Sequence, residues 1–251
     1  MALIRDAAER AARQEQKRRL ILRFLRTEVW TTYSVLGELL EITHATTLRD
    51  TIRRLERDGE VVAETIQIGA INHKVIGITP HGQAMAWRPD SGEDLVGKWY
   101  ERSRLPLSQA HHSLDLQRLR IRLSRAGWKD WTNADRIAPG ERASAQVRDK
   151  RYKRPDVLAR HPLLGVVALE CERHVKTRKR YQDVVESHMT SMKQGRFSAV
   201  VWTCPTPQLE ATVRRVLAGV EYIKVLGQSI RIGEAERGKL LVTNYESVVS
   251  L

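Results

Sequence analysis

The chain has 251 residues, with 43 Lys and Arg against 30 Asp and Glu, a formal net charge of +13, and a content 41% hydrophobic and 29% charged. That apolar share supports folded cores and excludes disorder throughout, and the length suits one large domain or two modest ones. No apolar run approaches the ~20 residues of a membrane helix, the opening MALIRDAAERAARQEQKRR has no signal-peptide core, and Cys171 and Cys204 are too far apart in sequence for a disulfide framework or a cysteine zinc site, so a cytoplasmic protein with two buried thiols is expected.

The charge is uneven. Residues 1–90 hold 14 basic and 12 acidic side chains, whereas residues 118–160 hold 13 against 5. Such a block attracts polyanions, nucleic acid first among them, because neutralised phosphates release counterions. The bland alternative is a solvated basic surface that keeps the protein soluble.

Taken in chain order, Ala7 to Arg26 reads as a helix rich in Ala, Arg, Glu and Gln, with Leu20/Phe24 and Ile21/Leu25 at i, i+4. A short second helix runs from Thr32, as its cap, to Leu40. A third begins at Thr46 or Thr47, with Leu48, Ile52 and Leu55 as its buried stripe, Arg49, Arg53, Arg54 and Arg57 largely off it, and Gly59 as its stop. EVVAETIQI and KVIGIT then alternate as a hairpin around GAINH, and TPHGQAMAW suggests a short helix.

Three helices and a hairpin predict a winged helix over residues 1–90, the third helix able to sit in a major groove. His44, Thr46, Thr47, Arg49 and Arg53 are the candidate DNA readers, with His73 and Lys74 expected at the wing tip. Such modules also serve as protein-interaction platforms, and an arginine-rich helix face is ordinary in water. Residues 91–105, with Pro, Gly and mixed charge nearby and no periodicity, are expected to be a linker.

Residues 106–251 predict a second domain. HHSLDLQRLRIRLSRAG reads as a helix, although Leu119, Ile121 and Leu123 also alternate as in a strand. Strands are expected around WKDWT, RPDVLA, LLGVVALECE and FSAVVWT, helices over VKTRKRYQDVVESHMTSMK and TPQLEATVRRVLAGV, and later strands at IKVLG and KLLVTN. The order predicts an α/β domain with a central mixed sheet, and the whole chain an α+β protein.

Within it Arg154, Pro155 and Asp156 are followed thirteen residues later by Glu170, Cys171 and Glu172. Alternation on a strand points Glu170 and Glu172 the same way, about 7 Å apart. At an effective dielectric near 20 they repel by roughly 2 kcal/mol before desolvation. Mg²⁺ or Mn²⁺ shared by Asp156, Glu170 and Glu172 would offset that and could activate a water. Pairing of these acids with Arg154, Arg173 or Lys176 would offset it equally well. Lys176 is the candidate for positioning a nucleophile, His111 or His112 for a base or phosphate donor, and Tyr181, among Arg178, Lys179 and Arg180, reads as packing. The loop RDKRYKR, with Lys150, Arg151, Lys153 and Arg154, would clamp a DNA backbone beside the acids.

The Pro155, Asp156 and Glu170-x-Glu172 arrangement, in an αβββαβ order, resembles the nuclease fold shared with type II restriction endonucleases, whose motif is PD followed by D/E-x-K. Glu172 stands where those enzymes have lysine, and Asp115 is the nearest counterpart of a first-helix glutamate that some of them carry. With the winged helix, His111 and His112, RPD, and E-x-E followed four residues on by Lys176, nearly the whole chain is similar to the MobC-type plasmid mobilisation relaxases, or replication-relaxation proteins. That resemblance implies an Mg²⁺- or Mn²⁺-dependent endonuclease nicking one strand of double-stranded plasmid DNA at a transfer origin, with Asp156, Glu170, Glu172 and Lys176 matching the motif. It also implies a role in conjugation with a coupling ATPase and an accessory mobilisation protein as partners. The reading from a different class is a non-catalytic replication or transcription regulator whose nuclease-like domain only grips DNA.

Overall fold

The computed structural model describes residues 6–42, 44–91, 97–137, 153–225 and 228–251. The protein is a mixed α+β chain that divides into two compact units, Met1–Ile121 and Arg122–Leu251.

The first unit opens with helix α1 (Ala7–Glu28), whose Asp6 carboxylate caps the Ala8 N–H at 3.0 Å. Its early turns are exposed, and its burial begins at Ile21, Leu22, Phe24 and Leu25. A three-residue strand, β1 (Trp30–Thr32), leads into α2 (Tyr33–Leu40). Next, α3 (Ala45–Arg57) buries Leu48, Ile52 and Leu55, the stripe expected from their spacing. Gly59, at φ +70°, ends it in a conformation that disfavours other residues.

Strands β2 (Val61–Ile68) and β3 (Ile71–Ile78) pair antiparallel, and β1 completes a sheet in the order β1-β3-β2. The hairpin turns on Gly69 and Ala70 alone, with Gly69 at φ +63°. His73 and Lys74 therefore lie within β3, opposite Ile66 and Thr65, rather than at the tip. Helix α4 (Pro80–Ala86) starts where Thr79 Oγ1 accepts the Gly82 N–H at 2.9 Å.

The first unit continues past the linker expected at residues 91–105. The Tyr100 N–H donates to the Ile78 carbonyl at 2.9 Å, and its ring lies where Gly77 leaves room. Helix α5 (Ala110–Arg125) then lends Ala110, Leu114 and Ile121 to the first core. Apolar contact thus carries this unit some thirty residues beyond residue 90, to Ile121.

The second unit is built on β4 (Lys129–Asn133), β5 (Val157–His161) and β6 (Gly165–Cys171), an antiparallel meander. Helix α6 (Arg178–Lys193) leads to β7 (Ala199–Cys204), which pairs parallel with β6, the geometry that requires a crossover segment. Helix α7 (Pro207–Ala218) follows, then a separate hairpin of β8 (Tyr222–Val225) and β9 (Gln228–Arg231), a short α8 (Glu234–Arg237), and β10 (Leu240–Asn244) parallel to β7. The sheet order β10-β7-β6-β5-β4 is the central mixed sheet expected. Tyr181, Val184 and Val185 of α6, Val213 and Leu217 of α7, and Val200, Trp202 and Cys204 of β7 form its core.

Candidate functional site

Strand alternation decides where the three acids fall. Ala168 of β6 belongs to the core beneath α6, and Glu170 and Glu172 continue that row, each only 1% exposed. On β5, Leu158 pairs with Ala168 and packs on the same core, so Asp156, two residues earlier, begins the same row. The expectation that the acids share one face at neighbouring strand ends matches this register.

Their charges are already met. Lys153 places its ammonium on Glu170 Oε2, and His188 Nε2 stands 2.8 Å from Glu170 Oε1. Lys153 is fixed in turn, its backbone N–H donating to Ser187 Oγ at 2.7 Å. Lys176 donates to Glu172 Oε1 at 2.5 Å. Asp156 Oδ2 accepts the Cys171 N–H at 2.9 Å, which ties β5 to the end of β6.

Burial pushes the Glu172 carboxyl above its ordinary range, Lys176 pulls it down, and the neighbouring Glu170 charge pushes it up again. Tyr181 is fully buried; desolvation first, and the Glu172 charge second, push its phenol up to about 12. The Lys176 N–H reaches Tyr181 Oη at 3.4 Å, and the Lys176 ammonium sits 6.0 Å from the ring centroid. A phenol held neutral in this way packs and orients, as expected for Tyr181. Cys204, the other buried thiol beside this core, is pushed up to about 12 by burial and by Glu172.

The expected metal triad must be corrected. Mg²⁺ demands near-octahedral oxygen donors, but both Glu170 oxygens are engaged by Lys153 and His188, and Glu172 is closed by Lys176. Among the described residues no three His, Cys, Asp or Glu side chains are grouped to hold a metal ion. As they stand, Asp156, Glu170 and Glu172 do not fit Mg²⁺ or Mn²⁺, because lysine and imidazole supply the positive charge instead.

Two further expectations change. Lys153 turns inward onto Glu170 and is not a phosphate clamp; Arg154 is exposed, and Lys150 and Arg151 lie outside the described residues. His112 belongs to the first turn of α5 in the first unit, next to His111, whose ring stands 6.4 Å from that of His73. The imidazole at the acids is His188, which sequence reasoning missed. Its signal was available: Tyr181, Val184, Val185 and His188 share the buried stripe of α6, and a polar residue on such a stripe needs a partner.

On α3, by contrast, Thr46, Thr47, Arg49 and Arg53 are all exposed on the side away from Leu48, Ile52 and Leu55, and His44 precedes the helix, also exposed. Arg53 makes only a loose 3.7 Å pair with Asp50, whereas Arg54 is drawn to Gln14 of α1. Lys74 is exposed on β3 and His73 half-buried. Compared with family models, curated proteins and solved structures, the chain matches none.

Proposed function

We propose that this is a double-stranded-DNA-binding protein of plasmid replication or transfer, in which a winged-helix-like first unit reads the duplex and a nuclease-like second unit grips DNA without metal chemistry. The observation that carries the reading is α3. Its apolar stripe is wholly buried while Thr46, Thr47, Arg49 and Arg53 face water, beside a two-stranded hairpin, in a chain of net charge +13. The closed ion pairs of Glu170 and Glu172 favour gripping over cutting, since an engaged carboxylate has no oxygen left to offer a cation.

A second reading, the relaxase-type nicking endonuclease, is favoured by a different observation. The antiparallel β4–β5–β6 meander with parallel β7, and the acids in one row, agree with the resemblance to restriction endonucleases. One experiment separates the two. Supercoiled plasmid carrying the cognate origin is incubated with the full chain and Mg²⁺ or Mn²⁺, and gel shift is measured in parallel. Shift without open circles under either metal supports the gripping protein. Open circles that vanish with Glu170→Ala, binding retained, support the nuclease. The absence of any salt-dependent shift overturns both.

A further inference from the structure

A cavity of about 290 Å³ lies in the first unit between α1 and the end of α4, lined by Glu15, Arg18, Arg19, Leu22 and Arg23 on one side and Met85, Ala86, Trp87 and Arg88 on the other. None of these residues belongs to α3 or to the β2–β3 hairpin, so the cavity is separate from the candidate DNA readers. We propose that it binds a nucleoside phosphate, either as a free nucleotide or as the 5′-phosphorylated end of a strand.

Its walls are held in place before any ligand arrives. The buried Arg26 guanidinium donates to the Gln83 carbonyl at 2.8 Å, and the Gln83 amide returns a bond to the Arg26 carbonyl at 3.4 Å, which pins α1 to α4. Glu60, 2% exposed, takes Arg18 Nε on both carboxylate oxygens at 2.9 Å. Gly82 packs directly on the Glu60 carbonyl, where a Cβ would stand 2.0 Å away. Glu15 holds Arg19 Nε at 2.7 Å. A site supported from behind in this way loses little entropy when a ligand enters.

The lining chooses the ligand class. Arg18 is answered by Glu60 and Glu15, an arrangement that pushes its guanidinium further into the charged state. Arg19, Arg23 and Arg88 remain against the single Glu15 carboxylate at the cavity, a surplus that favours an anion. Guanidinium forks match phosphate oxygens. Leu22, Met85 and the half-buried Trp87 offer an apolar wall with an indole face, suited to a planar base. The volume sits at the small end of ligand pockets, enough for one nucleotide unit and too little for a longer segment.

The test is calorimetric titration of the full chain with dAMP, inorganic phosphate, and a short single strand bearing either a 5′-phosphate or a 5′-hydroxyl. Saturable dAMP binding is expected, weakened about tenfold or more in Arg23→Gln/Arg88→Gln and in Trp87→Ala, with phosphate alone binding at least about tenfold more weakly. If the 5′-phosphorylated strand binds more tightly than dAMP and the 5′-hydroxyl strand does not, the occupant is a strand end; the reverse order identifies a free nucleotide. Thermal melting checks that the exposed arginine variants stay folded, and Trp87→Phe, which keeps an aromatic face, should retain most of the binding. No saturable binding of dAMP or of the phosphorylated strand, binding untouched by the arginine variant, or phosphate binding as well as dAMP would each overturn the proposal. Duplex binding through α3 is a separate measurement, so failure here leaves it standing.

Discussion

His188 and Glu170 meet at 2.8 Å with the imidazole wholly buried and the carboxylate 1% exposed, while Lys153 occupies the other carboxylate oxygen. A buried carboxylate tolerates such a position only when its charge is matched locally. Replacing one partner should therefore be costly. Lys153→Met is expected to lower unfolding free energy by about 3 kcal/mol, read from urea denaturation at neutral pH. Adding Glu170→Gln to that variant should restore much of the loss, because the unmatched charge is gone. An unchanged midpoint for Lys153→Met would show that His188 alone suffices.

Glu172 gives a pH signature. Its folded carboxyl titrates above the ordinary value of 4.5, so the folded state holds the proton more tightly than the unfolded chain does. The stabilisation it contributes is complete below pH 4.5 and is lost as pH rises through the raised folded value. Glu172→Gln, which cannot ionise, should flatten that decline in a series of denaturation curves from pH 4 upward. Parallel curves for the two proteins across that window would mean that Lys176 fully offsets the burial.

The two thiols should be silent at neutral pH. Cys171 and Cys204 are both buried, and Cys204 is raised from 9.0 to about 12, so its thiolate is absent near neutrality. Reaction with a disulfide reagent should proceed only at the rate of unfolding, and rise steeply in denaturant. Because the folded thiol pKa is raised, its share of stability is present below pH 9 and disappears as pH approaches 12. Fast labelling of Cys204 in the native protein would contradict its placement.

Two glycines separate steric from conformational cost. At Gly77 an added Cβ would lie 2.1 Å from Tyr100 Cγ, so Gly77→Ala must expel the ring, at an expected loss of about 2 kcal/mol. At Gly59 nothing stands within 4 Å, but φ is +70°, so Gly59→Ala should cost only about 1 kcal/mol through backbone strain. Thermal melts of the two variants would test the ranking, and equal losses would refute it.

If α3 enters a major groove, Arg49→Ala and Arg53→Ala should each weaken duplex binding. Each should also reduce the slope of log affinity against log salt by about 0.9 for every phosphate contact removed. Loss of affinity with the slope intact would reassign the arginine from phosphate to base edges.

Much of the architecture was legible because the elements are long and periodic. Leu48, Ile52 and Leu55 fixed α3, and the continuous apolar runs of β6 and β7 marked two central strands of the mixed sheet. The strand β1 was not legible, since Trp30–Thr32 is too short to show a period. His73 and Lys74 were placed at a tip because GAINH reads as a five-residue turn, whereas Gly69 and Ala70 close the hairpin alone. At the acids, alternation along a strand gave the shared face, but neither the inward turn of Lys153 nor the approach of His188 has any local signature. Lys153 sits in a uniformly basic run, and only its three-dimensional distance to Glu170 distinguishes it from its neighbours. The end of the first unit was missed for a related reason: Tyr100 stands in a stretch with no periodicity, and its burial depends on Gly77, twenty-three residues earlier.

The sheet order has a consequence for biosynthesis. All six residues of β7 are buried, and one of its two edges is covered only by β10, made some forty residues later. Until Leu240–Asn244 emerge from the ribosome, the nascent chain carries a wholly apolar strand with one flank of amide and carbonyl groups bare, the template on which strands of other molecules add. Translation through that interval is therefore when this protein most needs a chaperone.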